Sequence, residues 1–261
     1  EGYNQHWLSV PLRTGIGQKH NLTFEMGTKE LNTQISVSYK NEEGVMKKSY
    51  RRTLSGSAQV TYRVKNLMFR DIAQITSNNA QNSPYGSFYE YATMNPYTPI
   101  YDEYGKPTKK DAQNENYYSP LYNYTTGSKS LTSYLNFTNN FYIEYKPIET
   151  ATDILKLTAR LGITSKRSDA DEFYSHLHTK FGAIRNTEPD MLGSYTFNNG
   201  KSTKVSADVY ANYTKVVNSH VLNANVGYSV SESKYLEYVN TARGFRDLKM
   251  DEYLFAGAYD T

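Results

Sequence analysis

Cysteine is absent from the 261-residue sequence, which also contains one tryptophan and only eight prolines. Without cysteine, neither a disulfide scaffold nor a thiolate metal site can form. No run of about 18 apolar residues occurs, which excludes a transmembrane helix. The net charge is +3, and no basic block points to nucleic-acid binding. These absences exclude disulfide-rich secreted domains, helical membrane proteins and nucleic-acid-binding proteins.

Tyrosine is the residue in excess, with 26 copies. It suits β-strands, membrane interfaces and sugar-binding surfaces alike. The mean hydropathy of −0.71 is low for a membrane protein. A β-barrel tolerates such polarity, because half of each strand faces a polar lumen and the loops are polar throughout. Composition alone therefore leaves both soluble β proteins and membrane barrels open.

Apolar and polar residues alternate over two neighbouring stretches near the end of the chain. Val205 and Val209 share one face of the first stretch, whereas Asp208 lies on the other. After a break at 217–219 the alternation resumes and includes Val226. Because successive strand side chains point to opposite faces, the pattern predicts a hairpin with one apolar and one polar face. Each arm keeps the pattern for about 10 residues, the span that a tilted strand needs to cross a bilayer.

The same alternation recurs along the chain and predicts an all-β, antiparallel fold in one domain covering 1–261. The connections alternate between short and long, which is typical of transmembrane barrels with short periplasmic turns and long extracellular loops. The two longest connections, 78–130 and 166–203, are the predicted outer loops. The predicted strands lie near 19–27, 32–40, 52–65, 66–77, 131–146, 152–165, 203–215 and 220–233.

The first predicted outer loop is crowded with tyrosines. Flat amphipathic rings give a large contact area at a small entropy cost, so they could stack on sugar rings or pack on a partner protein. They could equally fold the loop onto itself, with Pro96 and Pro99 stiffening it. All three interpretations stay open. The candidate contact residues are Tyr85, Tyr89, Tyr97, Tyr101, Tyr104, Tyr117 and Tyr118.

Residues that would indicate catalysis or metal binding are sparse. His176 and His178 lie two apart on a predicted strand face, a spacing that a zinc site can use, but a polar strand explains them as well. Asp169, Asp171 and Glu172 resemble half of a calcium-binding loop, and a solvated turn accounts for them. No Gly-x-Ser-x-Gly elbow is present. We therefore expect no enzymatic activity, no metal site and no other cofactor.

Four stretches resemble the SusC-like TonB-dependent transporters, the SusC/RagA family of the outer membrane of Bacteroidetes. The first is the tryptophan-led segment 7–15, which closes in Arg-Thr-Gly, and the second is the hairpin from His20 to Gly44. The third is the loop motif Asn-Pro-Tyr-x-Pro-x-Tyr-Asp at 95–102, and the fourth is the histidine-led strand 220–228, which ends in Gly-Tyr. They follow one another in the order that the family has, and the resemblance runs over nearly the whole chain.

The resemblance implies that the chain is an internal slice of a barrel wall, about eight strands of a 22-stranded barrel, with no plug domain visible. It implies a place in the bacterial outer membrane, with lipid around the wall and the loops at the cell surface. The implied partners are a SusD-like surface lipoprotein and the TonB complex, the latter through an N-terminal part not seen here. The implied function is energy-dependent import of oligosaccharides, that is glycan uptake, with peptides as the alternative cargo.

Two alternatives from other functional classes stay open. A secreted β-sandwich that binds carbohydrate would place its apolar faces in a shared core. A passive porin or adhesin barrel would close within these residues. Detergent-dependent solubility separates the first alternative from both membrane interpretations.

Overall fold

The computed structural model describes residues 5–109, 119–247 and 252–260. The described strands form a single nine-stranded antiparallel sheet in which every strand pairs with its neighbours in sequence. Such a meander needs only direct connections between consecutive strands. The predicted all-β, antiparallel fold is therefore confirmed.

Eight long strands and one short strand make up the sheet, and helices occur only outside them. The strands are β1 (Gly17–Gly27), β2 (Leu31–Glu43), β3 (Tyr50–Val64), β4 (Leu67–Gln81), β5 (Lys129–Glu149), β6 (Asp153–Tyr174), β7 (Ser194–Val217), β8 (His220–Arg243) and β9 (Ala258–Asp260). Among the described residues the α-helix is α1 (Phe88–Ala92), and short 3-10 helices lie at Trp7–Ser9, Pro120–Thr125, Thr179–Ile184, Pro189–Met191 and Tyr253–Phe255. Within the described ranges, no helix is both long enough and apolar enough to cross a membrane.

The strand register separates the alternating residues onto two faces. Val226 pairs with Ala211 on one face, and Asn225 pairs with Asn212 on the other, as the alternation predicts. On the apolar face Val226 is 74 % exposed, whereas Asp208 on the polar face is only 6 % exposed. The apolar face is thus open and the polar face is the more enclosed one, the reverse of a soluble sheet.

A carboxylate lies on the apolar face of the sheet in β4. Asp71 pairs in register with Val60 and Phe141, which both belong to the apolar face. Asn139 of β5 lies on the same face, and its Nδ2 donates to Asp71 Oδ1 at 2.8 Å. Because this hydrogen bond gives the carboxylate a partner, the cost of placing it among apolar side chains is reduced.

Short and long connections lie at opposite ends of the sheet. Since consecutive strands run antiparallel, the turns 28–30, 65–66, 150–152 and 218–219 all fall at one end, and two of them use positive φ, at Lys65 (52°) and Asn218 (55°). The longer connections 44–49, 82–128, 175–193 and 244–257 fall at the other end, which we call the long-loop end. The predicted alternation of short and long connections is present in the structure.

The strands extend further toward the long-loop end than the sequence predicts. β6 continues to Tyr174 and β7 begins at Ser194, so the second long loop covers 175–193 rather than 166–203. The first covers 82–128 rather than 78–130. Residues 166–172 are polar except for Ala170, so they show no alternation, although backbone pairing with β7 continues regardless of side-chain type.

Candidate functional site

The first long loop folds around a small aromatic core. The indole Nε1 of Trp7 donates to the carbonyl oxygen of Thr98 at 3.3 Å and so ties the N-terminal segment to the loop. Tyr91 is 1 % exposed, and its hydroxyl donates to the carbonyl oxygen of Tyr85 at 2.8 Å. Burial raises the pKa of Tyr91, so the phenol remains a donor. The buried members of this core are Trp7, Tyr85, Tyr91, Ile100 and Leu121.

Four of the predicted contact tyrosines lie exposed on the outside of this core, namely Tyr89, Tyr97, Tyr101 and Tyr104. Tyr85 differs from them, because it is buried and its ring stacks on that of Tyr124, with the centroids 4.8 Å apart. For Tyr85, folding of the loop onto itself is the role that the contacts support. Tyr117 and Tyr118 lie outside the described residues. The described part of the loop therefore offers these four exposed tyrosine rings for contact with cargo or a partner.

Helix α1 is held by interactions at its N-terminus. The hydroxyl of Ser87 accepts from the backbone N–H of Glu90, and the N–H of Ser87 donates to Glu90 Oε2 at 2.8 Å, which is a capping box. Gly86 precedes it with a φ of 87°, and a Cβ there would lie 2.6 Å from Glu90 Oε2 and 3.0 Å from Asn123 Nδ2. Only glycine meets both the conformational and the steric demand at this position.

A polar cluster of Glu90, Asn123 and Thr179 joins the two long loops, and we call it the interloop lock. Asn123 is completely buried, with its Nδ2 donating to Thr179 Oγ1 at 2.9 Å and its Oδ1 accepting from the backbone N–H of Thr179 at 3.0 Å. The hydroxyl of Thr179 donates to Glu90 Oε1 at 2.5 Å. Breaking any of these contacts would leave a buried polar group without a hydrogen-bond partner. The lock therefore stabilises one arrangement of the two loops.

His178 lies beside the lock and is held in one tautomer. It is 7 % exposed, and its Nδ1 accepts from the backbone N–H of Lys180 at 3.1 Å, which leaves the proton on Nε2. Burial, and then the nearby ammonium of Lys180, lower the pKa of His178 to about 4. The imidazole is therefore neutral near pH 7 and carries a donor N–H at Nε2.

Two sequence-based interpretations of charged or titratable residues are wrong. His176 and His178 do not share a strand face, because β6 ends at Tyr174. Asp169, Asp171 and Glu172 lie within β6 rather than in a turn. In the ranges that the structure covers, no group of three or more His, Cys, Asp or Glu side chains could hold a metal ion.

A polar pocket of about 340 Å³ lies between the two long loops and the outer ends of β5 and β6. Tyr174, His178, Lys180 and Glu90 contribute to its wall, together with the smaller residues at 82–84, 86–87, 128 and 130. Lys129 also lines the pocket, and its Nζ is paired with Asp171 Oδ2 at 3.6 Å. The Nζ atom of Lys180 lies 4.2 Å from the centroid of the Tyr174 ring. We call this cavity the interloop pocket.

A second cluster holds the outer ends of β6, β7 and β8 together. Phe173 and Phe245 meet edge to face with centroids 5.4 Å apart, and Ala242 is buried beside them. Tyr195 and Tyr253, which are partly buried, pack against this cluster. The outer ends of the strands are thus fixed in position next to the second long loop.

A paired charge lies on the polar face of the sheet. Arg160 Nε donates to Asp208 Oδ2 at 2.6 Å, across β6 and β7. In the same row the guanidinium of Arg70 lies 5.3 Å from the ring centroid of Tyr142. The alternation places Arg160 and Asp208 on the polar face, but only the register shows that they are neighbours.

Sequence reasoning missed the interloop lock, His178 as a buried donor, and Lys180. One local signal was readable, since Ser87-x-x-Glu90 has the spacing of a capping box and marks a helix start. The partners Asn123 and Thr179 are far from Glu90 in sequence and have no motif of their own. Their role depends on how the loops fold against each other.

No protein-family model matches the chain, and a search of curated proteins gives no significant match. Solved structures match over 98 % of its length. One is described as the structure of the RagAB peptide transporter, with a TM-score of 0.70 and 15 % identity. Two others show the RagAB peptide importer in its "closed-closed" and "open-open" states, with TM-scores of 0.69 and 0.70 and 16 % identity each. The chain spans 28 % or 29 % of those chains, so the likeness shows the fold of one part of them.

Proposed function

We propose that this chain forms part of the barrel wall and the outer loops of a TonB-dependent transporter in the bacterial outer membrane. The observation that carries the proposal is a sheet whose exposed face is apolar, with folded loops at one end only. The likeness to the RagAB peptide transporter over nearly the whole chain supports it, as do the four family-like stretches. We assign the chain a role in transport rather than in catalysis.

The apolar face fits contact with lipid. A strand of about 9–11 residues crosses a bilayer when tilted, and the apolar side chains of β7 and β8 keep their alternation over such a length. β7 and β8 are each 24 residues long, so their outer parts would stand above the membrane and carry the long loops. The short turns would then lie in the periplasm.

The edges of the sheet favour a larger barrel over a small closed one. Among the described strands β1 pairs only with β2, and β8 pairs beyond β7 only through the three residues 241–243. An unpaired backbone group inside lipid costs several kcal/mol, so further strands would have to continue the wall on both sides. A passive barrel of eight strands would instead need β1 to pair with β8, which the described residues do not do.

Peptides are the first cargo class that we propose, because the structures of similar fold are described as a peptide transporter or importer. Oligosaccharides are the second, favoured by the four exposed tyrosine rings of the first long loop, which can stack on sugars. A SusD-like lipoprotein would cover the long-loop end, and the TonB complex would supply the energy for import.

Uptake by cells tests this proposal. A strain from which the whole gene is deleted would be given labelled peptides and labelled oligosaccharides. The same strain carrying a plasmid copy of the gene would be treated in parallel. We expect the plasmid copy to restore uptake of at least one class, and a protonophore to abolish it. Uptake that persists with the protonophore would indicate a passive porin. A protein that is monodisperse in buffer without detergent would contradict the membrane assignment.

A further inference from the structure

Three groups in the interloop pocket have hydrogen-bonding capacity that nothing in the described structure uses. They are the phenol hydroxyl of Tyr174, the Nε2–H of His178 and the ammonium of Lys180, and all three side chains line the pocket. His178 is more than nine-tenths buried and is oriented by the hydrogen bond to its Nδ1. Lys180 is held over the Tyr174 ring, which positions its charge at the pocket wall.

The carboxylates near these donors are already engaged elsewhere. Glu90 accepts from the backbone N–H of Ser87 and from the hydroxyl of Thr179. Glu172 accepts from the hydroxyl of Ser130 at 2.9 Å. The hydrogen-bonding groups of the pocket that remain unused are therefore mainly donors, and one of these donors carries a positive charge.

We propose that the interloop pocket binds a carboxylate group, presented either by the C-terminus of a peptide or by an acidic sugar. Donors that include an ammonium bind a carboxylate more strongly than a neutral carbonyl, since charge-assisted hydrogen bonds are about twice as strong as neutral ones. The volume of about 340 Å³ suits one terminal unit of a cargo molecule rather than a whole oligomer. The inference rests on the proposed transport function, because it names the chemical group by which cargo would be held at the outer end of the wall.

The inference can be tested by titration calorimetry on the intact protein in detergent, with two pairs of probe molecules. The first pair is trialanine with a free C-terminal carboxylate and trialanine with a C-terminal amide. The second pair is digalacturonate and its methyl ester. We expect the carboxylate form to bind at least about tenfold more tightly than its neutral counterpart in one pair or both. The pair that shows the difference identifies the source of the carboxylate.

Substitutions locate the effect in the pocket. Lys180→Met should weaken binding of the preferred carboxylate probe by about tenfold or more and leave the neutral probe unchanged. Tyr174→Phe keeps the ring under Lys180 and removes only the hydroxyl, so we expect the affinity for the carboxylate probe to fall a few-fold. Lys106→Met is the matched control, because Lys106 is an exposed lysine of the first long loop that does not line the pocket.

Equal affinity for the two members of both pairs would overturn the inference, as would an equal loss in Lys180→Met and Lys106→Met. If Lys180→Met does not fold, the paired probes on the unchanged protein still decide. Energised uptake without any carboxylate preference would refute the pocket and leave the transport function standing. Carboxylate-selective binding without energised uptake would support the pocket and contradict the transport function.

Discussion

The strand wall and the long-loop end are stabilised by different interactions. In the wall, β1 to β8 are joined by backbone ladders, and the apolar side chains between their ends stay exposed. At the long-loop end, aromatic rings and polar side chains are buried against one another. Every fully buried hydrophobic side chain in the described ranges belongs to that end, including Tyr91, Phe173 and Phe245.

The difference shows what each region needs from its surroundings. The apolar face of the wall is not covered by the described chain, β1 pairs only with β2, and β8 pairs beyond β7 only at 241–243. In the proposed transporter, lipid would cover this face and further strands would continue both edges. The loops supply their own partners, through the aromatic core, the interloop lock and the cluster around Phe173. A change in the loops should therefore act locally, whereas a change on the apolar face should act through the membrane.

Tyr91→Ala should have the largest effect, and it should be confined to the loops. Loss of a buried aromatic side chain costs about 3–5 kcal/mol, and here it also removes the hydrogen bond to Tyr85. We expect hydrogen exchange of the amides in 84–100 to speed up while the strands stay protected. Tyr104→Ala is the control, because Tyr104 is 79 % exposed and its loss should change little. Equal deprotection in both variants would show that the aromatic core does not stabilise the loop.

Val226→Arg should have a large effect on the wall. An arginine that faces lipid near the membrane midplane costs about 2–4 kcal/mol, whereas Asn225→Arg places the same side chain on the polar face and should be tolerated. The free energy of unfolding from lipid vesicles, measured with denaturant, compares the two. A greater loss for Asn225→Arg would mean that the faces are assigned the wrong way round.

Acid should weaken the loops before the wall, through His178. Its pKa is about 4 in the folded protein and about 6.5 when unfolded, so the unfolded loop binds a proton that the folded loop excludes. The stabilisation is complete above about pH 6.5 and falls as the pH approaches 4, by up to about 3 kcal/mol.

Hydrogen exchange of the amides in 175–187, corrected for the intrinsic rate, measures this loss. His178→Asn keeps a side-chain acceptor for the N–H of Lys180 but does not titrate, so its profile should be flat. Identical pH profiles for the two proteins would contradict the role given to His178.

Gly86→Ala should have the smallest of these effects. It combines backbone strain with a steric clash, and Gly105→Ala, which has only the backbone strain, separates the two causes. Both glycines have positive φ, so alanine strains the backbone at either site by about 1 kcal/mol. Only at Gly86 does the new methyl group meet Glu90 and Asn123, whereas nothing lies within 4 Å at Gly105. We expect about 1–2 kcal/mol of additional local destabilisation at Gly86, seen as faster exchange around the interloop lock. Equal destabilisation at both sites would show that the side chains of the interloop lock move aside at no measurable cost in free energy.

The sequence predicts the wall much better than the loops, for a physical reason. The alternation of apolar and polar residues shows which face of a strand contacts an apolar environment. β7 and β8 could therefore be identified from the sequence between Val205 and Val230. Where both faces are mostly polar, as at 166–172, the alternation disappears although the strand pairing continues. The capping box at Ser87 was the one loop feature with a local signal.

The rest of the site depends on contacts between distant residues. Asn123 and Thr179 are unremarkable in sequence and become important only because the loops bring them together. Tyr85 and Tyr89 are both tyrosines of one loop, yet one is buried and the other is exposed. No periodic pattern distinguishes them, because the loop core has no repeat.

The most direct test of the account is the sidedness of the two ends of the sheet in living cells. One epitope tag would be inserted after Gly105, in the first long loop, and another after Asn218, in a short turn. The account predicts that an antibody binds the first tag on intact cells and reaches the second only after the outer membrane is permeabilised. Binding to the Asn218 tag but not the Gly105 tag on intact cells would contradict it.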